Sequence, residues 1–208
     1  MRHTGSGKST LINLLSKFYQ PGSGKLKIDD HDITHIRSDS LRRQIGLVAQ
    51  HNFLFTGTIM DNIRLGKPDA SMDDVHRAVR ALDFEDLIDS LPQGYQTLVG
   101  ERGTGISLGQ RQLICFARAL LADPRILILD EATASVDTVT EARLQKALAR
   151  LTQGRTSFIV AHRLSTIRNA DKVIVLDQGK IIESGSHNEL LKANGHYAAL
   201  YRQLIEEA

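Results

Sequence analysis

The sequence predicts an α/β fold: a mainly parallel sheet built around a phosphate-binding loop and interrupted by a helical subdomain. Three observations predict it. Thr4-Gly5-Ser6-Gly7-Lys8-Ser9-Thr10 is a glycine-rich turn that runs into the apolar stretch Leu11-Ile12-Asn13-Leu14-Leu15. Three later runs, Ile126-Leu127-Ile128-Leu129, Thr156-Ser157-Phe158-Ile159-Val160 and Lys172-Val173-Ile174-Val175-Leu176, are near-continuously apolar, as in strands buried on both faces. A helical pattern at about 139–151 separates the first two runs and makes a βαβ unit.

The elements follow in order. The glycine turn is the core of a P-loop: Gly5 and Gly7 let the backbone turn tightly and aim N–H groups at an anion. Lys8 supplies a point charge for the outer phosphates, and the Ser9 hydroxyl suits Mg2+. The helix behind it directs its positive end at the phosphates. The first glycine of the full motif falls at position 2, which is Arg2. Lys25-Leu26-Lys27-Ile28 reads as an edge strand between two turn-rich segments. Ile45-Gly46-Leu47-Val48-Ala49 reads as a short buried strand. From residue 57 to about 122 the pattern turns helical, with Ser71 capping one helix and Asp73-Asp74 in its first turn. Asp177-Gln178-Gly179-Lys180 is a tight turn into Ile181-Ile182, a terminal hairpin. The domain division that follows is a core of residues 1–56 and 123–208 around an insert of residues 57–122.

Composition excludes several classes. An apolar fraction of 41% and a charged fraction of 24% argue against disorder. A net charge of +2 gives no argument for nucleic acid. Cys115 is the one cysteine, so no intrachain disulfide forms, and its apolar helical setting reads as core packing. No window approaches the roughly 20 apolar residues of a membrane span. The eight histidines are scattered without metal-ligand spacing.

Candidate chemistry sits at strand ends. In a parallel sheet the ligand crevice lies at the carboxyl ends of the strands, which places Asp130 and Glu131 beside the P-loop. Asp130 is then a ligand of Mg2+, and Glu131 polarises the water aimed at the γ-phosphate. His162 ends the next apolar run and can hold Glu131 and the water in register. Gln50 ends the 45–49 run, where its amide reaches both Mg2+ and the attacking water. Ile106-Ser107-Leu108-Gly109-Gln110-Arg111-Gln112 opens a second helix with an anion-binding N-terminus, about a hundred residues from the first. One γ-phosphate does not need two such cradles from one molecule, so a second protomer supplies this one and ATP is sandwiched between chains.

With these motifs in order, the chain resembles the nucleotide-binding domain of an ABC transporter of exporter type, over essentially all 208 residues. The signature resembles Leu-Ser-Gly-Gly-Gln, with Ile106 and Leu108 departing from it and Ser107, Gly109 and Gln110 kept. Ala134-Ser135-Val136-Asp137 resembles the D-loop, which makes Asp137 a nucleotide-site residue. Thr97-Leu98-Val99-Gly100-Glu101-Arg102-Gly103 resembles the exporter X-loop. The resemblance implies ATP and Mg2+ as cofactors, Glu131 as general base and His162 as switch residue. It implies a homo- or heterodimer of nucleotide-binding domains, docked on coupling helices of a transmembrane domain at the cytoplasmic face of the membrane. Phe53-Leu54-Phe55 is either the apolar patch for such a helix or ordinary core. The family also places strands ahead of the P-loop, one of them central and next to those bearing Asp130 and His162. The chain therefore reads as N-terminally truncated, with poor stability and weak ATP binding expected. Two other classes compete: a soluble ATPase acting on nucleic acid, which the short P-loop-to-signature spacing opposes, and a non-catalytic fragment.

Overall fold

The computed structural model describes residues 6–130, 137–161 and 163–206. Helix α1 (Lys8–Leu15) leads to a small hairpin, β1 (Lys27–Ile28) and β2 (His31–Asp32). Helix α2 (Ser38–Arg43) precedes β3 (Ile45–Val48). Then come β4 (Gly57–Thr58), α3 (Ile59–Arg64), α4 (Met72–Ala81), α5 (Glu85–Asp89), β5 (Leu98–Val99) and the long α6 (Leu108–Leu121). Strand β6 (Ile126–Asp130), α7 (Thr138–Thr152) and β7 (Thr156–Val160) form the βαβ unit. The chain continues through α8 (Leu164–Arg168), the hairpin β8 (Val173–Asp177) and β9 (Lys180–Gly185), α9 (His187–Ala193) and α10 (His196–Glu206). Two compact units result: residues 39–159, and the flanking residues up to 38 and from 160 onward.

The unit of residues 39–159 holds the sheet β3-β6-β7, with β3 and β6 parallel and Val48 opposite Leu129. Helix α6 is its central helix. Leu113, Ile114, Phe116 and Ala117 are all buried, and the core runs on through Ile59, Ile63, Val75, Val79, Phe84, Leu127, Leu144 and Leu151. Local signals set the helix starts. Thr58 with Asp61, Ser71 with Asp74 and Ser107 with Gln110 each form a capping box, so two orphan N–H groups at each start find side-chain acceptors. The stretch predicted as helical also contains the antiparallel pair β4–β5, too short to leave a periodic signal in sequence.

Two strand expectations are corrected. Burial on both faces holds for β6, where Leu127, Ile128 and Leu129 are inside. It fails for β7 and β8, where Phe158 is 38% and Ile174 44% exposed. The reason is topological: among the described residues β7 is the outer strand of its sheet and β8 pairs with β9 alone. The strand expected next to those bearing Asp130 and His162 has no place beside the first of them either, because β6 is flanked by β3 and β7.

The other unit carries α1 and both hairpins. The turns Asp29-Asp30 and Gln178-Gly179 have positive φ at both central residues, the geometry whose twist matches the flanking strands. Its small core is Val175, Leu190 and Tyr197, with Ile167, Val173, Leu191 and Tyr201 packed on it. Glu183 of β9 accepts the backbone N–H groups of His196 (2.7 Å) and Tyr197 (2.8 Å), capping α10 from outside its own sequence.

Candidate nucleotide site

Gly7 is the N-cap of α1 and adopts φ 98°, a left-handed conformation that glycine reaches without strain. No side chain caps this helix and no acidic residue lies in its first turn. The orphan N–H groups and the positive end of the helix therefore stay available to an anion, in contrast to α3, α4 and α6. Lys8, Ser9 and Thr10 form the first turn, earlier than the apolar stretch at 11–15 that marks the helix in sequence. Ser6 is buried, and its Oγ accepts from Lys8 Nζ at 2.8 Å, so the lysine lies folded over the loop. Thr4 and Gly5 lie outside the described residues.

In the other unit the parallel register delivers two of the expected groups to one sheet edge. Asp130 is the last residue of β6, and Gln50 stands two residues beyond Val48, the last residue of β3. Gln50 is exposed and Asp130 half-buried. Asp130 lines a cavity of about 10 Å3 with Val48, Asn52, Gln112, Phe116 and Leu129. That volume matches one water centre, and Asn52 Oδ1 is buried there without a protein partner. Glu131, Ala134, Ser135, Val136 and His162 lie outside the described residues.

The signature helix begins as its sequence indicates. Ser107 is the N-cap of α6: its Oγ accepts from Gln110 N–H at 3.2 Å, and Gln110 Oε1 accepts from Ser107 N–H at 2.8 Å. Gly109 is buried and Ser107 exposed. Asp137 caps α7, its carboxylate accepting from Thr140 N–H at 2.9 Å. That backbone hydrogen bond holds the Asp137 carboxyl below its ordinary pKa.

Sequence reading missed a polar hub behind the segment 53–58. Asn62 is 1% exposed, yet its amide accepts from Phe55 N–H (2.8 Å) and donates to Phe55 O (2.8 Å) and Thr58 O (3.0 Å). Arg118 of α6 joins it, donating to Asn62 O, Asn62 Oδ1 and Phe53 O. A signal existed: Asn62 is a polar residue on the apolar face set by Ile59 and Ile63. The hub resolves Phe53-Leu54-Phe55 into two roles. Leu54 enters the core, while Phe53 and Phe55 stay 51% and 54% exposed and meet edge to face at 4.9 Å. They line an open groove with Leu47, Leu65, Cys115 and Arg118, and Arg42, Arg43 and Lys67 also line it. Cys115 is buried and burial raises its thiol pKa, as expected of a packing residue.

An uncapped helix start carrying Gly-Lys-Ser-Thr, in a chain with Asp130 ending one parallel strand and Gln50 two residues past the end of its neighbour, defines a P-loop nucleotide-binding protein of α/β class. The chain belongs to the ABC transporter family, whose model matches residues 3–134. Over 200 residues it is 55% identical to the uncharacterized ABC transporter ATP-binding protein YknV of Bacillus subtilis, covering 96% of this chain and 33% of that protein. It is 51% identical to a fatty acid ABC transporter ATP-binding/permease protein of Mycobacterium bovis, covering 96% of this chain and 32% of the relative. It is 48% identical to an ATP-dependent lipid A-core flippase of Chromohalobacter salexigens, covering 99% and 35%. The solved structure of a bacterial Atm1-family ABC exporter with ATP bound superposes with a TM-score of 0.89 at 44% identity, over 96% of this chain and 35% of that one. The chain thus spans about a third of the length of the curated relatives it matches. Its fold is that of the exporter ATP-binding domain, and ATP is the nucleotide the family binds. No helix among the described residues is long and apolar enough to cross a membrane.

Proposed function

We propose that this chain binds and hydrolyses ATP to power export of a substrate across a membrane, as one of two nucleotide-binding domains that close on ATP. The carrying observation is the uncapped, acid-free N-terminus of α1 with Gly7, Lys8, Ser9 and Thr10 in place, in a chain of this family. Ser6–Thr10 cradle the phosphates, together with Thr4 and Gly5. Ser9, Gln50 and Asp130 offer a hydroxyl, an amide oxygen and a carboxylate, the all-oxygen donors that suit Mg2+. Bound there, that ion would neutralise phosphate charge. Glu131 accepts the proton of the attacking water, and His162 holds the γ-phosphate side of the site. Ser107, Gly109, Gln110 and Asp137 serve the partner protomer's nucleotide. Residues 57–122 act as the signature subdomain beside a core of residues 1–56 and 123–208. The groove at Phe53, Phe55 and Leu65 receives a coupling helix of the transmembrane domain, which holds this chain at the cytoplasmic face of the membrane. The relatives' names include lipid A-core and fatty acid cargoes, which supports a lipidic substrate.

Calorimetric titration with MgATP tests the nucleotide site. Lys8→Ala is expected to lower affinity by about a hundredfold, and equal affinity would remove Lys8 from the site. Glu131→Gln is expected to cut turnover by about 10²–10⁴-fold and to trap an ATP-bound dimer in light scattering. Unchanged turnover would sink the general-base assignment.

A further inference from the structure

We infer that the β8–β9 turn is a positioning element of the phosphate loop, with Gly179 as the residue that sets it; this rests on the nucleotide-binding reading of Ser6–Thr10. Gly179 N–H donates to the carbonyl of Ser6 at 3.1 Å, across more than 170 residues of sequence. A Cβ built on Gly7 would stand 3.3 Å from Gly179 Cα and 3.7 Å from its nitrogen. The turn therefore backs the loop from outside, against the two peptide units that lead into α1. Its own geometry makes this approach possible. Gln178 at φ 47° and Gly179 at φ 76° form the tight two-residue turn, a left-handed geometry that glycine reaches without strain. The close approach falls at Gly7, where an added Cβ would meet the Gly179 backbone, while a Cβ on Gly179 would meet nothing within 4 Å.

The consequence is electrostatic. A peptide group has one carbonyl and one N–H on opposite sides, so fixing where the Ser6 carbonyl points also fixes where the Gly7 N–H points. With the Ser6 oxygen bonded to Gly179, the Gly7 N–H is turned away from the hairpin. It joins the first-turn N–H groups of α1 as a preset donor rather than one that must reorient when phosphate arrives. Gly179 touches no nucleotide in this arrangement. It acts through Ser6 and Gly7, so its effect falls on affinity rather than on the chemical step.

Gly24 supplies a matched control. It lies in the same unit at φ 77°, and an added Cβ there would meet nothing within 4 Å, as at Gly179; the hydrogen bond to Ser6 is made by Gly179. Gly179→Val and Gly24→Val impose the same left-handed strain on a β-branched residue. In a calorimetric titration of the full chain with MgATP, Gly179→Val is expected to weaken binding about tenfold, with the turnover rate at saturating ATP within about twofold of wild type. Gly24→Val is expected to bind as wild type does. Equal affinities in wild type and Gly179→Val, or equal losses in both variants, would overturn the inference. Hydrogen exchange on the unaltered chain keeps the idea testable if Gly179→Val does not fold: MgATP should protect the peptide spanning 177–181 together with that spanning 6–10. Protection of 6–10 alone would separate the hairpin from the site and leave the nucleotide reading standing. Protection of neither would overturn both.

Discussion

Arg118 Nε donates to the backbone carbonyl of Asn62 at 2.9 Å, while its guanidinium also reaches Asn62 Oδ1 at 3.1 Å and Phe53 O at 3.2 Å. One side chain of α6 thereby joins the helix that starts at the signature to both the end of α3 and the groove segment 53–58. Burial lowers the pKa of this arginine, and its partners here are neutral oxygens rather than carboxylates. A planar fork of N–H donors suits three acceptors spread over two segments, which an ammonium cannot match.

Truncating this hub should be costly. Asn62→Ala removes the side-chain partner of the Phe55 and Thr58 backbone and leaves part-buried groups unmet, an effect of about 1–3 kcal/mol. Arg118→Lys should recover little of the loss in Arg118→Met, because geometry rather than charge is required. Urea unfolding midpoints at constant m-value measure both; a full rescue by lysine would show that charge suffices.

Gly66 ends α3 where no side chain fits. A Cβ there would lie 2.1 Å from the Arg118 carbonyl oxygen and 3.1 Å from its carbon, both backbone atoms of α6. Gly66→Ala must push the two helices apart and should destabilise the chain by about 2–3 kcal/mol. Gly22→Ala, in open space with unexceptional φ, should be neutral or slightly stabilising. Thermal unfolding of the two variants side by side decides the matter.

Ser107 has a structural duty besides its proposed contact with ATP. Ser107→Ala deletes the acceptor for Gln110 N–H, worth about 1 kcal/mol at a helix N-cap. Ser107→Asp restores the cap, but its negative charge would face the phosphate of a partner's nucleotide. The expected pattern is a lowered melting temperature in the alanine variant and near wild-type melting in the aspartate variant, with ATP-induced dimerisation lost in the latter. Dimerisation of Ser107→Asp at wild-type ATP concentration would count against the sandwich.

Acid should act through the caps. Hydrogen bonds from the Ser71 hydroxyl and backbone lower the pKa of Asp74 from 3.8, and the Arg143 hydrogen bond lowers that of Asp86. A depressed folded-state pKa gives stability that is fully present above the unfolded value and is lost as pH falls through the folded one. The stability gap between wild type and Asp74→Asn should therefore be constant from neutral pH down to the upper edge of carboxylate titration, then shrink below about pH 3.8. Denaturant midpoints across that range test it; a gap that widens on acidification would reverse the sign.

Much of the site was legible because its groups are local in sequence. The Gly-Lys-Ser-Thr turn, the Ser107 cap and the carboxylate ending β6 are each set within a few residues, where propensity and hydrogen-bonding reach suffice. The Gln178-Gly179 turn was equally legible from its turn chemistry. Strand burial was not. Apolar runs at 156–160 and 172–176 look alike to a pattern, yet whether both faces are covered depends on sheet order, and that is set by distant segments.

The amino-acid order alone is enough for the α/β class, the helix starts and the glycine turn that opens α1, since these rest on contacts between near neighbours. Tertiary structure decides what distant segments do to one another. It puts Gly179 behind Ser6, sends Leu54 inward while Phe53 and Phe55 remain outside, and sets Arg118 across Asn62. The physical reason is that close packing and buried hydrogen bonds are satisfied by whichever residues the fold brings within a few ångströms, however far apart they lie along the chain.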